Sequence, residues 1–157
     1  MKIIIPNKNC NIFKFTSLWI LIPIYHSYNS IYYLFSYNLI FNMIISLLHW
    51  NYYKHNSIYH NLDRILSMNT ILIINLNTNN KILYLLTFLS IIFYYKGKYS
   101  MLNNNYFEQL VNHLIFRYIA FWLCYLYINK FNYYYFKLYS ILYILSIYMI
   151  NKLINKS

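Results

Sequence analysis

The sequence predicts an all-α protein, an integral membrane helical bundle of five to six short transmembrane helices, on three observations. The first is composition. Of 157 residues, 61% are hydrophobic and 10% charged, whereas average globular domains hold about 45 to 50% and 25%. The second is the placement of charge. The formal net charge is +11, but the Lys and Arg residues punctuate apolar runs singly and do not form the clustered stripe that tracks phosphates. Nucleic acid is therefore not the expected partner, and the lipid bilayer is. The third is the length of the uncharged runs: thirty-nine residues separate Lys14 from Lys54 without an Asp, Glu, Lys or Arg, too many for one span of about 20. The apolar content excludes a solvated disordered chain, and two cysteines, Cys10 and Cys124, exclude a disulfide scaffold. The one glycine rules out a glycine-rich phosphate loop. Abundant Ile, Asn, Lys, Tyr and Phe with single Ala and Val residues indicate an AT-rich genome, which inflates Asn, Tyr and Lys without functional cause.

The long uncharged run holds two spans. His26-Ser27-Tyr28-Asn29-Ser30, three residues after Pro23, is the polar break between them. The first span is expected over about 13–25 and the second over about 31–52. The first is short, so it must thin the bilayer or let Lys14 snorkel. A polar stretch from Lys54 to Asn61 precedes the third segment, about 63–77, whose Asn69, Asn75 and Asn77 need partners on neighbouring helices. The turn Asn77-Thr78-Asn79-Asn80-Lys81 leads to a fourth at 82–95. Lys96-Gly97-Lys98 and Asn103-Asn104-Asn105 are expected to form the next loop. The fifth span covers 107–129, with Arg117 inside it, and the sixth 131–150. Segments three and four, paired as a re-entrant hairpin, are the alternative to two full crossings. The chain reads as one transmembrane domain, 1–157, without internal repeat or signal-peptide cleavage pattern.

Loop charge tests this division independently, because Lys and Arg concentrate on the cytoplasmic side. With six spans and an inside N-terminus, Lys2, Lys8, Lys14, Lys54, Lys96, Lys98, Lys152 and Lys156 fall inside, and only Lys81 and Lys130 outside. Both termini are therefore expected on the positive, cytoplasmic or equivalent side.

Ionisable groups inside spans are costly and are functional candidates by default. They are His49, Asp63, Glu108, His113 and Arg117. The expected topology brings His49, Asp63 and His113 to one depth at one face of the membrane. Ser46 shares the His49 helical face at a spacing of three. Two imidazoles and a carboxylate are donors that zinc takes, with a bound water available for activation as a nucleophile. The plainer reading makes His49 an interfacial neighbour of Trp50, and Asp63 a partner of Arg64 or a helix cap. Arg117 is expected to turn away from lipid, toward Asp63, Glu108 or backbone carbonyls.

The pattern Ser46-Leu-Leu-His49, then a polar stretch, then Leu62-Asp63 opening a span, then His113-Leu-Ile-Phe-Arg117, resembles the superfamily of alkaline ceramidases and adiponectin and progestin receptors. The resemblance covers about residues 43–65 and 112–122. It implies a metal-dependent membrane hydrolase acting on a lipid substrate, with zinc as cofactor. In that reading His49, Asp63 and His113 are the metal ligands, and Ser46 and Asp63 the catalytic residues. Arg117 stands where that family has its second histidine, Ser46 is one residue closer to His49 than the family spacing, and His113 follows Asp63 by only fifty positions, fewer than four intervening spans need. A diverged relative that has lost its metal is one expectation. The other is a non-catalytic membrane protein or accessory subunit, with membrane-protein partners, whose polar residues bond neighbouring helices.

The remaining features read plainly. His55 and His60 are loop residues without a companion Cys. The tyrosine pairs sit near span ends, where amphipathic rings favour the boundary. Cys124 is a small packing residue, and Glu108 and Gln109 suit a helix N-terminus.

Overall fold

The computed structural model describes residues 6–28, 32–51, 57–129 and 132–154, and every regular element among them is helical. The order is α1 (Asn7–Ser17), one 3-10 turn (Leu18–Ile20), α2 (Leu21–Tyr28), α3 (Tyr33–Asn51), α4 (Ile58–Leu76), α5 (Lys81–Leu102), α6 (Tyr106–Ile128) and α7 (Tyr133–Ile154). The expected first span is thus two helices joined by a tightened turn. Pro23 explains the joint, because it has no N–H and its ring crowds the carbonyl four residues back, that of Trp19 within the turn.

Three boundaries differ from expectation, each for a local reason. His26, Ser27 and Tyr28 are helical and do not form a break; Ser27 spends its hydroxyl on the Ile24 carbonyl of its own helix at 3.0 Å. Asn29 and Ser30 lie outside the described residues, as do Lys54, His55 and Asn56. α4 starts at Ile58, five residues before the expected span, because Ser57 caps it by accepting from the His60 N–H at 3.2 Å. His60 is therefore a helix residue. α5 runs through Lys96-Gly97-Lys98, which were expected in a loop. Gly97 serves close packing there: a Cβ at this position would stand 3.6 Å from the Asn112 Cβ, so the α5 backbone lies directly against α6. The Asn103–Asn105 turn is where expected. Asn104 takes φ 59°, and Asn105 accepts from the Glu108 N–H at 3.2 Å while donating to its carboxylate at 3.0 Å.

Successive long helices alternate in direction. At one end, Cys10 and Phe13 of α1, Trp50 near the end of α3, Met101 near the end of α5 and Leu110 near the start of α6 pack together. At the other, Phe35 and Leu39 of α3 meet Ile74 of α4, Leu83 of α5 and Leu123 and Cys124 of α6. α7 runs antiparallel to α6: Tyr118 bonds Ser140 at 2.6 Å and Tyr143 donates to the Leu114 carbonyl at 3.1 Å. Aromatic rings fill the space between them, Trp122 on Phe136 at 4.9 Å and Phe121 on Tyr139 at 5.9 Å. α3 and α4 share a polar seam, in which Thr70 accepts from Asn38 at 2.8 Å and from Asn42 at 3.2 Å, and Asn69 donates to Asn38 at 3.0 Å. Asn75 accepts from Thr87 at 3.3 Å and Asn77 donates to its own Ile73 carbonyl at 2.7 Å, so each interrupting amide has a partner. Among the described residues, α6 is the one helix long and apolar enough to cross a membrane by length and composition.

Candidate functional site

Arg117 points into the bundle from the middle of α6. Its Nη1 donates to Ser17 Oγ at 2.6 Å and its Nη2 to Ser46 Oγ at 2.9 Å. Ser17 ends α1 and Ser46 lies on α3, so one side chain ties three helices together. Each serine has a single hydroxyl hydrogen. Ser17 gives its own to the Phe13 carbonyl at 2.9 Å; the Ser46 oxygen lies 3.2 Å from that of Ser17, and its hydroxyl also faces the Asp63 carboxylate. Both oxygens are left facing the guanidinium as acceptors, and through Ser46 the contact reaches Asp63 on α4. Arg117 thus turns inward among the helices, but its direct partners are two hydroxyls, and Asp63 is reached only through one of them. The guanidinium carbon also lies 5.9 Å from the Trp50 ring centroid.

The two histidines approach the same region from different helices. His113, one turn before Arg117, packs 4.4 Å from the Phe13 ring and 5.1 Å from Trp50. His49 packs 4.5 Å from Trp50 and places Nε2 3.5 Å from Nδ1 of His60. A cavity of about 50 Å³ is lined by His49, His60, Asp63, Gln109 and His113. A larger one of about 380 Å³ is lined by Ser17, Ser46, Asp63, His113 and Arg117, with apolar walls from Ile20, Met43, Ile71 and Phe121. Asp63 and His113 border both.

Known proteins offer no guide here. Comparison with protein-family models, curated proteins and solved structures finds no match to this chain.

The site must therefore be judged on its own donors. Among the described residues, no three His, Cys, Asp or Glu side chains stand together so as to hold a metal ion. His49, Asp63 and His113, the expected zinc ligands, share a cavity wall without forming a metal-binding group, and the fixed cation of Arg117 opposes a second one nearby. The zinc that the resemblance implies does not fit these side chains as they are placed, and no step is derived through it.

Three participants escape a reading of the sequence. His60 reads as a loop residue once the helix is started at Asp63, although Ser57 three residues before it is a capping signal. Trp50, between the two histidine rings, reads only as an interfacial aromatic. Ser17 carries no pattern linking it to a residue one hundred positions away.

Proposed function

We propose that the chain is a multi-pass membrane protein in which α1 and α2 together make the first of six crossings, and that its polar centre joins helices without catalysing a reaction. The observation that carries this reading is that small polar side chains are buried beside the apolar core while large apolar ones face outward. Ser27 and Ser36 are 0% exposed, and Thr87, Ser90, Ser100, Gln109 and Asn112 are buried between helices. Large apolar side chains point outward on every long helix, including Phe41, Leu72, Phe88, Phe107 and Leu145, with Leu76 at 82% and Phe107 at 77%. Water-soluble monomers rarely expose contiguous apolar patches beyond a few hundred Å². Small and hydroxyl residues at helix interfaces are what association within lipid favours. The experiment is fractionation of the expressed chain: it stays in the membrane pellet through alkaline carbonate and leaves it only with detergent. Release by carbonate into a monodisperse soluble fraction would overturn the reading.

A ceramidase-like hydrolase is the second reading, supported by Ser46, Asp63 and His113 meeting on one cavity wall. It requires activity toward an amide-linked or ester-linked lipid that Ser46→Ala and Asp63→Asn abolish, together with stoichiometric metal in the purified protein. Retained activity in both variants would remove it.

A further inference from the structure

The polar seam between α3 and α4 is a chain of hydrogen bonds that ends at the outer surface. Thr70 is buried and donates to the Leu66 carbonyl of its own helix at 2.9 Å. Its hydroxyl oxygen accepts from Asn38 at 2.8 Å and from Asn42 at 3.2 Å, and the Asn38 carbonyl oxygen accepts in turn from Asn69 at 3.0 Å. Each link uses a group that the link before it leaves open. At Asn69 the chain stops. An asparagine amide has two N–H donors and a carbonyl oxygen with two lone pairs. Asn69 spends one donor on Asn38, and among the described residues nothing donates to its oxygen.

On the membrane reading that open end lies away from water. α4 runs from Ile58 to Leu76, and Asn69 stands eleven positions from its start and seven from its end, about 10 Å from the nearer end at roughly 1.5 Å per residue. Among the described residues at least seven positions from both ends of their helix, Asn69 is the one exposed side chain with an amide, an aliphatic hydroxyl or a charge. A polar group without a partner in hydrocarbon is costly, and side-chain amides in lipid are satisfied by bonding across helices.

The surroundings of Asn69 select the partner. Leu34 and Phe41 lie one turn to either side of Asn38, Ile65 and Leu72 one turn to either side of Asn69, and all four are exposed. The face they make is apolar with one amide at its centre, and it offers no charge for an acidic or basic partner to match. An amide is complementary to itself, because its donor fits its own acceptor. Such a face is completed by an identical face turned about a two-fold axis.

We propose that two copies of this chain pair in the membrane through the α3–α4 face, with the two-fold axis beside Asn69, so that each Asn69 donates its second N–H to the carbonyl oxygen of the partner's Asn69. Leu34, Phe41, Ile65 and Leu72 of each copy close around the amides and keep lipid from them, while the bond to Asn38 stays in place. The pairing rests on the membrane reading, because water at this surface would satisfy the amide without a second copy.

The test uses the full chain reconstituted in neutral phosphatidylcholine vesicles at a series of protein-to-lipid ratios. Association is read by energy transfer between fluorescent labels on a C-terminal tag and, separately, by cross-linking. The unsubstituted chain should form a dimer that dilution in lipid converts to monomer. Asn69→Leu should raise the dissociation constant about tenfold, and Asn69→Gln, which keeps both donor and acceptor, should retain most of the association. Leu72→Cys, which leaves the amide intact, should cross-link to the second copy with a short bismaleimide; Phe88→Cys on α5 and Leu145→Cys on α7, exposed on other faces, should not. A monomer at every ratio, a dimer whose strength Asn69→Leu leaves unchanged, or equal cross-linking from all three positions would overturn the pairing. A monomeric chain that still resists carbonate rejects the pairing alone, so the two readings fail separately.

Discussion

Arg117 is a buried cation whose direct partners are neutral. Asp63 and Arg117 are each other's opposite charge in this buried region. Removing one of two opposed buried charges leaves the other uncompensated, at about 3 to 5 kcal/mol. Arg117→Met is therefore expected to lower the melting temperature of the detergent-solubilised protein, and Arg117→Met combined with Asp63→Leu to recover part of the loss; an unchanged melting temperature in Arg117→Met would show that the guanidinium contributes nothing net to the bundle. Ser46→Val removes an acceptor from Arg117, a loss of about 1 to 3 kcal/mol. The two cysteines give a separate test of packing. Cys10 is 7% exposed. Because a thiol must be reached by the reagent and lose its proton to react, maleimide at pH 7 should label neither Cys10 nor the 3% exposed Cys124 in the native protein. Both should react in denaturing detergent. Rapid native labelling of Cys10 would mean that α1 does not sit against α3 and α6 as described.

Helix contacts in this molecule are of two kinds, and they predict different sensitivities. α5 meets α6 backbone to backbone through Gly97, whose added Cβ would find only ordinary contacts, 3.6 Å to Asn112 Cβ and 3.8 Å to the Gln109 carbonyl. Gly97→Ala is thus expected to be neutral or stabilising by up to about 1 kcal/mol from helix propensity. Gly97→Leu must push the helices apart and should cost about 1 to 3 kcal/mol. Equal melting temperatures for the two variants would deny the close approach. α6 meets α7 through rings, so their backbones stay apart and the contact depends on side-chain volume. Trp122, 3% exposed and packed on Phe136 and Tyr139, is its centre. Trp122→Ala should lose about 3 to 5 kcal/mol and expose α7 to limited proteolysis before the rest of the chain.

Alternating helix directions carry a topological consequence for the whole molecule. Lys8 and Lys14 on α1, Lys96 and Lys98 on α5 and Lys152 on α7 belong to one end of the bundle, and Lys81 at the start of α5 and Lys137 near the start of α7 to the other. Positive charge concentrated at one end is the pattern that orients membrane proteins. Reporter tags at the two termini should accordingly report the same side; opposite sides would mean that one helix, α4 before any other, does not cross. Much of this architecture is legible in the chain itself. The period and length of the apolar runs locate α3, α6 and α7 within a few residues, because backbone groups buried away from water are most readily satisfied within a helix. Caps and Pro23 set the starts and the joint, being local hydrogen-bond and steric effects, although the cap at Ser57 and the helical course through Gly97 go unread when polar residues are taken as loop. Sequence alone also marks His49, Asp63, His113 and Arg117 as out of place in an apolar setting. It does not determine what they do for one another. Whether Arg117 meets Asp63, a metal or two serines depends on side-chain distances between helices tens of residues apart. Those distances follow from how small residues on α5 and rings on α6 space the backbones, a property of the packed bundle that no single segment encodes.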